Sequence, residues 1–181
     1  FVTHSNAFDT ELFLRIAPEL YLKRAVVGGL ERVFEINRNF RNEGADSTHS
    51  PEFAMLESYQ AYSDYQGIAD LTQELIQNAA LAVNRGTERE GSHTVLWADG
   101  TLFDLGGDWD RISMCGTLSA AAGIEITPET SVAQLLELAA RVGVEVRLPN
   151  HGKLVEELWE HFVKDGLTRP TSVMDVPVET R

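Results

Sequence analysis

The chain has 181 residues, with 28 acidic and 15 basic side chains and a formal net charge of −13. A hydrophobic share of 43% and a charged share of 24% exclude fibrous, collagen-like and disordered classes. The single cysteine, Cys115, excludes an intrachain disulfide framework and disfavours a cysteine-based zinc site. The length fits one ordinary domain with a small inserted subdomain, and roughly 70% of the unfolded surface can be buried at this size. No apolar run approaches the roughly 18 residues of a membrane span. No basic and then apolar leader opens the chain, so a cytoplasmic, non-membrane protein is expected. The acidity argues against a basic nucleic-acid groove in this segment. The sequence opens on Phe1 rather than Met, which reads as a chain beginning partway through a longer protein.

In chain order, residues 11–16 alternate with Leu12, Leu14 and Ile16 on one face and predict a short strand. Pro18 suits the first position of a helix running to about Val27, with Gly28 and Gly29 as its stop. Residues 32–41 alternate again, placing Phe34, Ile36 and Phe40 on one face and Val33, Glu35, Asn37, Asn39 and Arg41 on the other. A polar loop, 42–52, leads to a second strand at 53–62, so the pair predicts an antiparallel hairpin with a long tip. An amphipathic helix follows at 66–83, then a small hairpin with arms at 93–97 and 101–105. Residues 106–150 read as an insertion with helices near 117–122 and at 132–142. A last helix at 153–164 precedes an extended segment at 170–179. Hairpins mixed with helices imply an α+β fold around an antiparallel sheet.

Chemistry concentrates between Glu19 and Tyr59. Side chains on a strand repeat every two residues, so Phe53, Glu57 and Tyr59 project into the same space. An aromatic plane, a carboxylate and a phenol in line suit a planar base at one end and a cation at the other. Arg41 could bring a guanidinium fork to a phosphate between them. The plainer alternatives stand beside this: Phe53 in a core, Tyr59 in packing, Glu57 as an edge charge with Arg41 as its cross-strand partner, and His49 idle in its loop.

The run Arg15-Ile16-Ala17-Pro18-Glu19-Leu20-Tyr21-Leu22-Lys23-Arg24, ending in Val27-Gly28-Gly29, resembles the class II lysyl-tRNA synthetases. So do Arg32-Val33-Phe34-Glu35-Ile36-Asn37-Arg38-Asn39-Phe40-Arg41-Asn42-Glu43-Gly44 and His49-Ser50-Pro51-Glu52-Phe53, which together resemble motif 2 of that class. Residues 151–180 resemble the stretch before the family's lysine-binding strands, and 86–150 more loosely its insertion between motifs 2 and 3. The resemblance implies three segments: 1–85 as catalytic core with the motif 2 hairpin, 86–150 as insertion, and 151–181 as a return to the core. The implied fold is the class II antiparallel sheet flanked by helices, incomplete here, with a small inserted helical subdomain.

It also implies roles. Arg41 would be the catalytic residue at the α-phosphate of ATP, with Glu43 by the adenine amino group, His49 near the terminal phosphates and Phe53 stacked on adenine. Glu19 would hold the α-ammonium of L-lysine, with Glu57 and Tyr59 around its ε-ammonium. The implied partners are lysine, ATP, tRNA(Lys) and a second subunit in a homodimer. Mg²⁺ would accompany ATP, on ligands expected beyond Arg181, with none assigned within the chain. Aspartyl and asparaginyl relatives usually carry Gln where Glu19 stands and Asp where Asn42 stands. The ligase that modifies elongation factor P begins its helix with Ser-Pro-Glu-Tyr, where this chain has Ala17-Pro18-Glu19-Leu20. The family's anticodon-reading OB-fold, motif 1 and motif 3 have no counterpart in these residues, so little or no activity is expected of the chain alone. A non-catalytic truncated paralogue and the synthetase domain of a lysyl-lipid-forming membrane fusion are the competing expectations.

Overall fold

The computed structural model describes residues 1–42, 44, 46, 49–146 and 149–180. Two compact units follow one another along the chain, 1–68 and 69–181. Among the described residues the fold is mixed α+β, with five α-helices and four two-stranded sheets.

The first unit opens with β1 (Val2–Ser5), paired antiparallel with β2 (Thr10–Phe13) so that Val2 faces Phe13. The alternation at 11–16 thus contributes a shorter strand, and its partner at 2–5 had no visible pattern. Helix α1 (Glu19–Val27) starts after Pro18, whose carbonyl accepts the N–H groups of Tyr21 and Leu22 at 3.1 Å. It ends at Gly28, and Gly29 turns the chain away at φ +101°, a conformation that side chains with a Cβ rarely adopt. β3 (Arg32–Phe40) and β4 (Glu52–Gln60) form the expected antiparallel hairpin, with Glu35 opposite Glu57 and Asn39 opposite Phe53. The segment before α1 runs beside β3, where the Phe40 N–H donates to the Arg15 carbonyl at 2.9 Å. Tyr62, at φ +56°, ends the extended run.

The apolar face read from the sequence exists, but it is not a core. Phe34 is 69% exposed, Ile36 64% and Leu56, across from Ile36, 46%. Among the described residues of this unit only Pro18, Leu22 and Asn39 are buried.

Helix α2 (Tyr65–Asn84) begins in the first unit and continues into the second; the Asp64 carboxylate accepts the Gly67 N–H at its start. β5 (Thr94–Leu96) and β6 (Leu102–Asp104) make the small hairpin, with Gly100 at φ +88° in its turn. β7 (Asp110–Ser113) then leads into α3 (Met114–Ala122), capped by the Ser113 hydroxyl. α4 (Val132–Val142) has a capping box from Ser131 and Gln134 and stops at Gly143, φ +76°. α5 (His151–Phe162) is capped by Asn150, and β8 (Thr171–Met174) pairs with β7. That pairing is parallel, whereas the expected sheet was antiparallel. Two short segments far apart in sequence carry no pattern that would match them.

The core of this unit lies where α3, α4 and α5 meet. Leu118, Leu154, Val155 and Leu158 are 0% exposed and Leu135 is 1% exposed. Each such side chain contributes about 1.5–3 kcal/mol relative to exposure. Trp159 donates its indole N–H to the Thr117 hydroxyl at 2.9 Å, joining α5 to α3. Cys115 belongs to the same cluster, where burial first, and then the Asp175 and Glu129 charges, push its thiol upward. A protonated, packed thiol is no nucleophile at neutral pH.

Candidate functional site

β3 and β4 bring one polar face together. The register puts Val33, Glu35, Asn37 and Asn39 opposite Tyr59, Glu57, Met55 and Phe53 respectively. At 3.3 Å or so per residue, Phe53 and Tyr59 mark out about 20 Å of strand. α1 packs against this hairpin and adds groups from its first two turns.

At the upper end stand Glu19, Lys23, Glu57 and Tyr59. Glu19 is the first residue of α1, where a carboxylate is favoured by the helix N-terminus. The Tyr59 hydroxyl donates to Glu57 Oε1 at 2.5 Å. Burial, and then that bond, the Glu57 charge and the Glu19 charge, push the Tyr59 phenol upward, so it stays a donor across the usable pH range. The Lys23 ammonium pairs with Glu19 and lies 5.5 Å from the centre of the Tyr59 ring. Of the three side chains assigned from the sequence to a lysine pocket, Glu57 and Tyr59 touch directly, and Lys23 links Glu19 to the Tyr59 ring. Lys23 was not singled out, although its spacing of four from Glu19 is the ordinary signal for a helical ion pair.

Glu35 and Glu57 face each other across the strands, an unfavourable pairing unless neutralised. Arg15 neutralises the first, with its Nη1 2.5 Å from Glu35 Oε1 and its Nε donating to the Arg38 carbonyl at 3.1 Å. That bond, aided by one from Asn37, holds the Glu35 carboxyl below the usual carboxylate range. Glu57 has no cation partner among the described residues. The alternative of an Arg41–Glu57 cross-strand pair therefore does not hold, because the residue opposite Glu57 is Glu35.

At the lower end Arg41 follows β3. Its guanidinium lies 5.3 Å from the centre of the Phe53 ring, and its Nε donates to the Ile16 carbonyl at 3.3 Å. Its backbone N–H donates to the Pro51 carbonyl at 3.0 Å, closing the base of the loop. Phe53 is half-buried with one face under a cation, not a core residue. In the loop, His49 Nδ1 lies 2.9 Å from the Asp46 carboxylate, which also accepts the His49 N–H at 2.8 Å. His49 is thus held within its loop while its side chain stays 60% exposed. Glu43 lies outside the described residues. Asn39 is fully buried on the same face, and neither of its amide atoms has a hydrogen-bond partner among the described residues. Alternation placed it on this face with Arg41, but gave no reason to single it out.

Chemically, one end of the face presents carboxylates and a phenol to cations, and the other presents a guanidinium over an aromatic ring. Two depressions in the second unit, one bordered by Glu145, Lys153 and Glu156 and the other by Cys115, His151 and Asp175, hold none of the assigned side chains. Among the described residues no three His, Cys, Asp or Glu side chains converge closely enough to hold a metal ion. No residue of the chain is assigned to Mg²⁺, and no step below runs through it. Among the described residues no helix is long and apolar enough to cross a membrane.

Known proteins align with this frame over nearly its whole length. A lysine–tRNA ligase of Kineococcus radiotolerans is 64% identical over 99% of this chain and 35% of its own length. A lysine–tRNA ligase 1 of Mycobacterium tuberculosis is 51% identical over 99% of this chain and 36% of its own. A lysylphosphatidylglycerol biosynthesis bifunctional protein of Nocardia farcinica is 50% identical over 98% of this chain and 16% of its own. The chain thus spans about a third of the length of these ligases. Residues 1–180 match the family described as tRNA synthetases class II (D, K and N). The chain belongs to the class II tRNA synthetases of the D, K and N group.

Proposed function

We propose that this chain carries the substrate-activating face of a lysine–tRNA ligase. The observation that supports it best is the convergence of Glu19, Glu57 and Tyr59 at one end of the β3–β4 face, with Arg41 and Phe53 at the other. An amino acid with two ammonium groups needs sheltered carboxylates at one end, and a nucleotide needs an aromatic plane and a fixed positive charge at the other.

In this reading Glu19 takes the α-ammonium of lysine, and Glu57 with Tyr59 takes the ε-ammonium. Phe53 stacks on adenine, Arg41 leaves that ring to hold the α-phosphate, Glu43 meets the adenine amino group, and His49 meets the terminal phosphates. The lysine carboxylate attacks the α-phosphorus, the bond to the β-phosphate oxygen breaks, and pyrophosphate leaves. A ribose hydroxyl of tRNA(Lys) then attacks the lysyl carbonyl and releases AMP. Neither step needs an enzyme nucleophile, which agrees with the packed thiol of Cys115. Positioning and charge stabilisation carry the catalysis.

The finer architecture belongs to the same proposal. It comprises a class II antiparallel sheet flanked by helices, core segments at 1–85 and 151–181, an insertion at 86–150, and a homodimer in the cytoplasm that uses ATP with Mg²⁺. A second reading shares the first step: the Nocardia relative is named for lysylphosphatidylglycerol biosynthesis, so the same adenylating segment would serve a protein that passes lysine to a lipid. The higher identity to the ligases favours the first.

Lysine-dependent ATP–pyrophosphate exchange by the complete gene product tests the site. Arg41→Ala is expected to lower the exchange rate by roughly a hundredfold or more. Exchange at the wild-type rate would overturn the assignment.

A further inference from the structure

Resting on the lysine-pocket reading above, we propose that Lys23 is an internal stand-in for the substrate ammonium, and that its side chain competes with lysine for Glu19 and the Tyr59 ring. It is thereby a residue that sets the affinity for lysine.

Three observations carry this. First, Lys23 presents the same group as the end of the ligand, an ammonium on a four-carbon stem. That ammonium already pairs with Glu19, the carboxylate assigned to the α-ammonium, and lies 5.5 Å from the centre of the Tyr59 ring. An exposed helical pair would satisfy Glu19 alone; this one also engages an aromatic ring on a different element, the ring beside the ε-ammonium position. Second, the charge count has room for only part of the load. Glu35 is occupied by Arg15, which leaves Glu19 and Glu57 for cations, and Lys23 takes one of these. A ligand whose two ammonium groups need both carboxylates must displace the Lys23 ammonium or endure its repulsion at short range. Third, displacement is cheap. The Lys23 side chain is 52% exposed, so the stem can swing into water without disturbing packed neighbours. What is lost is one exposed ion pair and one exposed cation–π contact, so removing the competitor should tighten lysine binding by about threefold to tenfold.

Steady-state exchange kinetics with the complete gene product provide the test, using Lys23→Met, Lys23→Arg and Glu57→Gln. Lys23→Met keeps the stem and removes the charge. Its lysine KM is expected to fall by about threefold to tenfold, with the change confined to KM and not kcat. Lys23→Arg restores a cation and should return the lysine KM close to the wild-type value. Glu57→Gln should raise the lysine KM. If Glu57→Gln raises it while Lys23→Met leaves it unchanged or raises it, Lys23 is no competitor and the proposal falls while the pocket stands. If Glu57→Gln leaves the lysine KM unchanged, the pocket reading fails and takes the proposal with it.

Discussion

Phe34 on β3 and Leu158 on α5 are both large apolar side chains in regular structure, yet the first is 69% exposed and the second 0%. The contrast runs through the two units. In residues 69–181 the apolar positions of α3, α4 and α5 close on one another and seal even a tryptophan and a cysteine. In residues 1–68 the hairpin turns one face of Phe34, Ile36 and Leu56 to the surface and gives the other to Glu35, Glu57, Arg15, Arg41 and Tyr59. Helical apolar stripes build a core in the second unit, whereas strand alternation in the first leaves its apolar face exposed and gathers charged and aromatic groups on the other. The difference is what each strand or helix finds opposite it.

Substitutions should expose that difference in this chain. Leu158→Ala leaves a cavity among α3, α4 and α5 and is expected to cost about 2–5 kcal/mol in urea unfolding of the second unit. Phe34→Ala should stay within about 0.5 kcal/mol, because an exposed ring loses little on truncation. A large loss for Phe34→Ala would mean that the first unit has a core on that face after all.

Charge separates the units more gently. Arg15 holds the Glu35 carboxyl low. The carboxylate thus adds stability that is complete above the ordinary glutamate value and lost as pH falls through the lowered folded value. Glu156 and Glu157 raise the Lys153 ammonium in the second unit. Its contribution is complete below the ordinary lysine value and lost as pH rises through the raised one. Unfolding followed against pH should show Glu35→Gln flattening only the acid limb and Lys153→Met only the alkaline limb. An exchange of limbs would contradict both pairings.

Local signals in the sequence carried far. Pro18 and the Gly28-Gly29 pair bounded α1, the stop at Gly143 fixed the end of α4 at Val132–Val142, and strict alternation placed Arg41, Phe53, Glu57 and Tyr59 on one hairpin face. What was not legible depends on contacts between distant segments. β7 and β8 are four residues each and pair parallel across α3, α4 and α5, so neither has a pattern that selects the other. Alternation also fixes a face but not which neighbour a long cation lies over. Arg41 over Phe53 and Lys23 over Tyr59 are choices among many rotamers, decided by the rings the fold brings near. The exposed Phe34 and Ile36 show the converse limit: an apolar alternation predicts a strand face, not its burial.

In the proposed function the carboxylate end of the β3–β4 face selects lysine. ATP–pyrophosphate exchange by the complete gene product, run in parallel with lysine, aspartate and asparagine, tests it most directly. Lysine is expected to support exchange at a rate at least about a hundredfold above either of the others, since two carboxylates and a phenol repel a side-chain carboxylate and gain only neutral hydrogen bonds from an amide. Exchange with aspartate or asparagine matching that with lysine would contradict it.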